Sequence, residues 1–433
     1  MLRHKIHEIT LENGLKGLII DTPKTGVVVC EVSFRAGEFL LKKEKWETAH
    51  LMEHVLLGAN KYFKKARDFQ AAIEQNGAYS NASTSVYDIT YEIESAHFEW
   101  QRVVGLLLDA ISTPKFLQEE VDSELSNVRE ELISRSNNHF RALNAAMRQS
   151  MGMISLTDQE RVELLHHVTR QDLVKHYSET HTIENARFII AGNFKGDYTS
   201  IETMFRERLV LKQGNGRIAM PDEVPLKLDD PLVLRKPSVP NIYLYFDMYL
   251  HRQLNARERI AMQVVSTYLT ETMYSRIFGT AREKGWVYGM GSGAVYAKDL
   301  TGWWLGAQVS KTNSAPLLRL VRDELVLLHE GVVDDEEFES ARKHLLGKTM
   351  RAGQTASGLV SRYGSYYADD IIENVNLLPK MTKKIDKKLC IDIMRELIDQ
   401  NCYGIGMLGS ISLQPARQLK SYIESVFPEE SDV

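Results

Sequence analysis

"TAHLMEHVLLG", residues 48–58, is an apolar run that carries two histidines and a glutamate. Set on a helix at about 100° per residue, His50, Glu53 and His54 fall in one sector, while Leu51, Met52, Val55 and Leu56 fill the other side. A helix that is apolar over most of its circumference is a core element. Polar groups buried on such a helix are costly without partners. The rest of the chain must therefore supply what satisfies them.

Two histidines at i and i+4 can ligate one metal ion from a single helical face. Zinc then needs a third protein ligand and, for catalysis, one open position. A second helix packed against the first is the natural source. "LQEEVDSELSNVREELISR", residues 117–135, has an apolar stripe of Val121, Leu125, Val128 and Leu132. Glu124 and Glu131, seven residues apart, lie at the edge of that stripe, and Glu130 points nearly opposite, toward solvent. The wheel thus selects Glu131 or Glu124 over Glu130. The HxxEH order is the inverse of HExxH, the arrangement used by inverzincins.

Upstream of this helix stand two strand-like segments, "HEITLENGLKGLIID" and "GVVVCEVSFRAG". Downstream, "ARDFQAAIEQNG" reads as a helix closed by Gly77, and "AYSNASTSVYDITYEIES" as a strand pair. Helices are predicted over 97–111 and 117–135, and a threonine-capped one near residue 170, before the strand "NARFIIAGNF". The aperiodic "KQGNGRIAMPDEVPLKLDDP" reads as a linker over 212–231. Beyond it come the strand "NIYLYFDMYL", one helix across "ARERIAMQVVSTYLTETMYSRIF", the strand pair "GWVYGMGSGAVYAK" and "GWWLGAQVS", and two more helices. Both halves follow a β-α-β-β-α-α order, which points to duplication. The expectation is an α/β (α+β) chain with two similar domains, 1–211 and 232–433, each a mainly antiparallel sheet packed with helices. Nothing like HLMEH occurs in the second half, so only the first is expected to bind metal.

Bulk properties fit a soluble globular protein: 433 residues, 43% hydrophobic, 26% charged, net charge −5. That balance does not favour nucleic acid or an anionic membrane as partner. Lysine runs such as "KKEK" and "KMTKKIDKK" read as solvated surface. Cys30, Cys390 and Cys402 are odd in number and widely spaced, which fits a reducing compartment. The N-terminus has no apolar leader, and no run approaches a membrane span. A cytoplasmic location is expected.

The chain resembles the pitrilysin or insulinase family of zinc peptidases, in particular the half-length branch that includes the mitochondrial processing peptidases. The resemblance runs through "LENGL" (11–15), "HLMEH" (50–54), "NGAYSNASTS" (76–85), "ELSNVREEL" (124–132), "VTRQDLVKHY" leading into "ENARFIIAGNF", and "REKGWVY" (282–288). The flanks of the HLMEH segment differ from the usual family pattern, reading "WETAH" before it and "GANKY" after it. By position, the resemblance implies His50, His54 and Glu131 as ligands of one zinc ion per chain, and Glu53 as general base toward a zinc-activated water. It implies Glu124 as a support for the ligands, Asn81 and Ala82 as the edge strand that pairs with an extended substrate, and Arg282 and Tyr288 as the pair that holds the substrate carbonyl. The activity implied is that of a zinc metalloendopeptidase cleaving short or unfolded peptides in a clamshell cleft. A homodimer, or a heterodimer with a homologous subunit, is implied too. The alternatives are a non-catalytic family member serving as scaffold or partner subunit, and a module that holds peptides without cleaving them.

Overall fold

The computed structural model describes residues 2–428. The described residues form two compact units, one of residues 2–134, 158–220 and 350–376, the other of 135–157, 221–349 and 377–428. The sequence reading took each half as contiguous. The units are not: a segment from each half of the chain is packed into the other half's unit.

The first unit holds a six-stranded sheet of β1 (Lys5–Thr10), β2 (Lys16–Asp21), β3 (Val27–Phe34), β4 (Tyr79–Thr84), β5 (Ile89–Ala96) and β6 (Ala186–Gly192), in the order β1-β2-β6-β3-β5-β4. All pairs are antiparallel except β2 with β6. Alternation decides which face is core. Val28, Cys30, Val32 and Phe34 of β3 and Ile89, Tyr91 and Ile93 of β5 are fully buried. Helices packing on this unit include α1 (Thr48–Leu56), α2 (Ala66–Glu74), α3 (Trp100–Ser112) and α4 (Gln118–Arg135). α5 (His139–Ser150) belongs to the second unit, and α6 (Asp158–Leu164), α7 (Arg170–Thr180) and α8 (Tyr198–Arg208) return to the first. Thr169 caps α7 in a reciprocal capping box with Asp172.

The other face of this sheet is polar, with Glu31, Ser33, Thr90 and Glu92 among its residues, and the 350–376 segment covers it. Arg187 binds Asp370 through Nε at 2.5 Å and Nη2 at 2.9 Å, and Lys16 Nζ reaches the same carboxylate at 3.0 Å. Cover on both faces explains why β6 is buried at every position instead of alternating.

In the second unit, β7 (Leu232–Arg235), β8 (Ile242–Leu250), β9 (Val287–Ala297), β10 (Leu300–Val309) and β11 (Cys402–Gly409) are ordered β7-β11-β8-β10-β9, with only β7 and β11 parallel. Strand for strand this repeats β2-β6-β3-β5-β4, polarity included, so the similar-domain architecture read from the sequence holds. α5 covers one face of this sheet, where Leu143, Met147 and Met151 pack with Tyr245, Tyr249 and Cys402. β8 is accordingly buried on both faces, the reason its sequence is apolar or aromatic at every position but Asp247.

The single helix expected over 256–278 is broken. An α-helix runs over Ala256–Ser266, widens into a π turn at Thr267–Glu271, and gives way to extended backbone at Thr272. Thr267 and Thr270 turn their hydroxyls onto the carbonyls of Gln263 and Ser266 at 2.9 and 3.1 Å, competition that favours distortion.

One packing detail gives a stability prediction. Gly17 in β2 pairs with Phe188 in β6, whose ring occupies the space a Cβ would need. That ring stacks on Phe205 at 3.7 Å and is fully buried, so it cannot swing aside. Gly17→Ala should destabilise the protein by about 1–3 kcal/mol through overpacking, read as a lower urea midpoint. An unchanged midpoint would show that the ring has room to move.

Candidate metal centre

α1 buries Leu51, Met52, Val55 and Leu56 in the first unit's core and turns His50, Glu53 and His54 along one side. His50 is only 2% exposed. The two imidazoles stand perpendicular, at 85°, with centroids 5.0 Å apart. From α4, one oxygen of Glu131 reaches both rings, 3.3 Å from His50 Nε2 and 3.4 Å from His54 Nε2. Glu53 joins the two histidines in a set whose potential ligand atoms lie within 4.8 Å of one another. The side chain of Glu130 is 77% exposed and lies beside Arg129. The wheel argument therefore separates the two neighbouring glutamates correctly.

Each histidine is held at its other nitrogen by a carboxylate. His50 Nδ1 lies 2.9 Å from Glu47 Oε2, and His54 Nδ1 lies 3.0 Å from Glu124 Oε2. Carboxylates only accept, so both Nδ1 atoms carry the proton in these contacts, and both Nε2 atoms face Glu131. Asn127 Nδ2 donates to Glu124 at 3.2 Å. The hydrogen bond from His54 holds the Glu124 carboxyl below its ordinary pKa. Burial by itself would discharge His50, but the nearby carboxylates of Glu131 and Glu47 outweigh it and raise its pKa to about 9.

These residues fit a zinc ion. His50 Nε2 is buried and has no satisfying hydrogen-bond partner, with Glu131 Oε2 3.3 Å away. Donors each about 2.0–2.1 Å from a tetrahedral ion stand roughly 3.3–3.4 Å apart. The nitrogen-to-oxygen separations of 3.3 and 3.4 Å match that spacing. Two imidazoles and one carboxylate form a set typical of zinc, and the carboxylates behind the histidines fix their orientation.

The other residues singled out in the sequence divide into two places. Asn81 and Ala82 lie on β4, at the edge of the first sheet, paired with Glu92 and Tyr91 on one side only. Thr84 at the end of β4 donates to the carbonyl of Ala49 in α1 at 3.4 Å, which ties this edge to the metal helix. Arg282 and Tyr288 lie in the second unit and hold each other. The Arg282 guanidinium sits 4.5 Å from the centre of the Tyr288 ring, and its Nη1 donates to the Tyr288 carbonyl at 2.9 Å. Tyr288 is 87% exposed.

Sequence reasoning missed Glu47 and the group behind it. Arg161 from α6 donates to both oxygens of Glu47, Nε at 2.5 Å and Nη2 at 3.1 Å. Its Nη2 also lies 3.0 Å from Glu38, which burial keeps above the ordinary carboxylate pKa. For Glu47 the same burial is outweighed by its bonds to His50 and Arg161, and its pKa is lowered. The i−3 spacing of Glu47 from His50 was a usable signal; Arg161 offered none.

The model for the insulinase family, peptidase family M16, matches residues 17–157, and that for the M16 inactive domain matches residues 167–345. The zinc protease PqqE of Helicobacter pylori is 30% identical over 152 residues, a match covering 33% of this chain and 33% of that protein. The match thus spans about a third of that relative's length. An uncharacterised zinc protease of Streptomyces coelicolor is 24% identical, with 73% of this chain and 70% of that protein covered. The beta subunit of the rat mitochondrial-processing peptidase is 27% identical, with 42% and 37% covered. Among solved structures, a protease from Helicobacter pylori superposes with a TM-score of 0.82 at 18% identity, over 94% of this chain and 100% of that one.

Proposed function

Since the chain belongs to the insulinase (M16) family of peptidases, we propose that it is a zinc-dependent endopeptidase acting on short or unfolded peptides. The observation that carries this reading is the convergence of His50 Nε2, His54 Nε2 and Glu131 Oε2 at 3.3–3.4 Å, with Glu53 alongside. Zinc held there would supply a Lewis acid and lower the pKa of water to roughly 7. Glu53, adjacent to His54 on the helix, is the proton acceptor. Glu124 and Glu47 fix the two imidazoles. The free edge of β4 at Asn81 and Ala82 offers backbone groups to an extended chain, a mode that reads peptide backbone more than sequence. Arg282 and Tyr288 are assigned as donors to a peptide carbonyl, on the family resemblance. Zinc analysis of the purified protein, together with hydrolysis of an internally quenched peptide, tests the reading. Zinc without turnover would favour the scaffold role instead.

Two subsidiary proposals go with it. One relative is by name a subunit, and the chain is proposed to work as a pair with itself or with a homologue, which sedimentation checks. Its three cysteines are free and buried, and no helix among the described residues is long and apolar enough to cross a membrane. The proposed location is the cytoplasm.

Zinc uptake should be coupled to proton release. A protonated imidazole cannot ligate, and His50 in the metal-free protein carries a pKa of about 9. At pH 7 the ion must therefore displace about one proton from this group. Apparent affinity should rise roughly tenfold per pH unit until about pH 9, where the gain from His50 levels off. Calorimetric titration in two buffers of different ionisation enthalpy checks this. Identical heats in both would show that His50 is already neutral.

A further inference from the structure

We propose that Glu47 and Arg161 are positioning residues of the metal centre. Glu47 takes the Nδ1–H of His50, and Arg161 fixes Glu47, so that Nε2 of His50 is presented toward His54 and Glu131. The inference rests on the zinc reading above and deepens it.

Three features separate this from an ordinary structural ion pair. The first is direction. Glu47 sits at the N-cap position of α1, yet its side chain makes no cap hydrogen bond to the helix. It turns instead to His50 at 2.9 Å and to Arg161 at 2.5 and 3.1 Å. The second is the charge balance. Arg161 is surrounded by three carboxylates: Glu47, Glu38 at 3.0 Å and Asp158 at 3.8 Å. Glu47 and Arg161 are deeply buried, with side chains 0% and 8% exposed. Of these carboxylates it is Glu47 that meets the imidazole, and Arg161 holds both of its oxygens. A ring whose far nitrogen held a dication would meet that carboxylate's negative charge at its near one. The third is the ring itself, whose Nδ1 is satisfied while the buried Nε2 makes no hydrogen bond.

The two histidines are held differently. Glu124, behind His54, is 28% exposed and takes its further hydrogen bond from an amide, not a guanidinium. His50 is thus backed by a buried carboxylate anchored to a guanidinium, and His54 by a more exposed one.

The test uses the full chain and zinc itself. Dissociation constants are measured by chelator competition for the wild type, Glu47→Gln and Glu47→Ala, alongside the melting temperature of each metal-free protein. Loss of such a supporting carboxylate typically weakens metal binding about 10–100-fold. Glu47→Ala is expected near the upper end and Glu47→Gln, which keeps an acceptor oxygen, near the lower. In the wild type labelled with ¹⁵N-histidine, the Nδ1–H of His50 should give a slowly exchanging proton signal that disappears in Glu47→Ala. Arg161→Met should broaden that signal and weaken zinc binding in the same direction. Zinc constants within twofold of wild type, with the proton signal unchanged, would overturn the proposal while leaving the zinc site standing. A wild type that binds no zinc would overturn both. If Glu47→Ala does not fold, Glu47→Gln and the wild-type signal decide the question.

Discussion

Glu53→Gln is expected to bind one zinc ion per chain as the wild type does and to lose peptide hydrolysis by roughly a hundred- to ten-thousand-fold, the contribution usual for a positioned general base. Amide and carboxylate have nearly the same shape, so the helix is not disturbed. The amide cannot accept a proton from water, so the chemical step fails while the site remains. The substitution also resolves an ambiguity in the geometry. Glu53 shares a close cluster with His50 and His54, which on proximity alone would allow it to be a ligand. Glu131 is the better ligand because a single oxygen lies at tetrahedral spacing from both Nε2 atoms. Metal analysis and kcat on the same preparation read the two properties separately. Loss of zinc from Glu53→Gln would make Glu53 a ligand, and full activity would remove it from the chemistry.

The parts of the fold that were readable in the sequence are those set by local period. The polar sector of α1 and the orientations of Glu124, Glu130 and Glu131 on α4 follow from 100° per residue, and the structure places all of them as the wheel does. β5 was readable because its core-facing positions alternate with less buried ones, a period of two that shows in its sequence. What was not readable depends on partners far away in the chain. Glu47 and Arg161 are 114 residues apart, and no local pattern links them. The exchange of 135–157 and 350–376 between the units was hidden for the same reason. A helix covering the second face of a sheet leaves only an indirect trace, the apolar run of β8 with Asp247 as its one charged residue. The break at Thr267–Glu271 escaped because its apolar residues keep a helical spacing while threonine hydroxyls compete for the backbone.

Removing a ligand should have a consequence opposite in kind to removing the base. Glu131→Ala, and likewise His54→Ala, is expected to abolish stoichiometric zinc, and activity should disappear with it. If about 12 kcal/mol of zinc affinity is shared among three protein ligands, each accounts for roughly 4 kcal/mol, on the order of a thousandfold in dissociation constant. The fold should survive. Neither residue is fully buried, with side chains 30% and 22% exposed, and the apolar stripe of α4 packs inward through Val121, Val128 and Leu132 whatever stands at 131. Glu130→Ala is the matched control: same helix, adjacent position, but its side chain points away into solvent, so zinc content and activity should be unchanged. Zinc content after gel filtration, with circular dichroism to verify folding, reads the contrast. If Glu131→Ala retained one zinc per chain, the bridging oxygen would be structural, and the third ligand would have to be sought at Glu124 or Glu53.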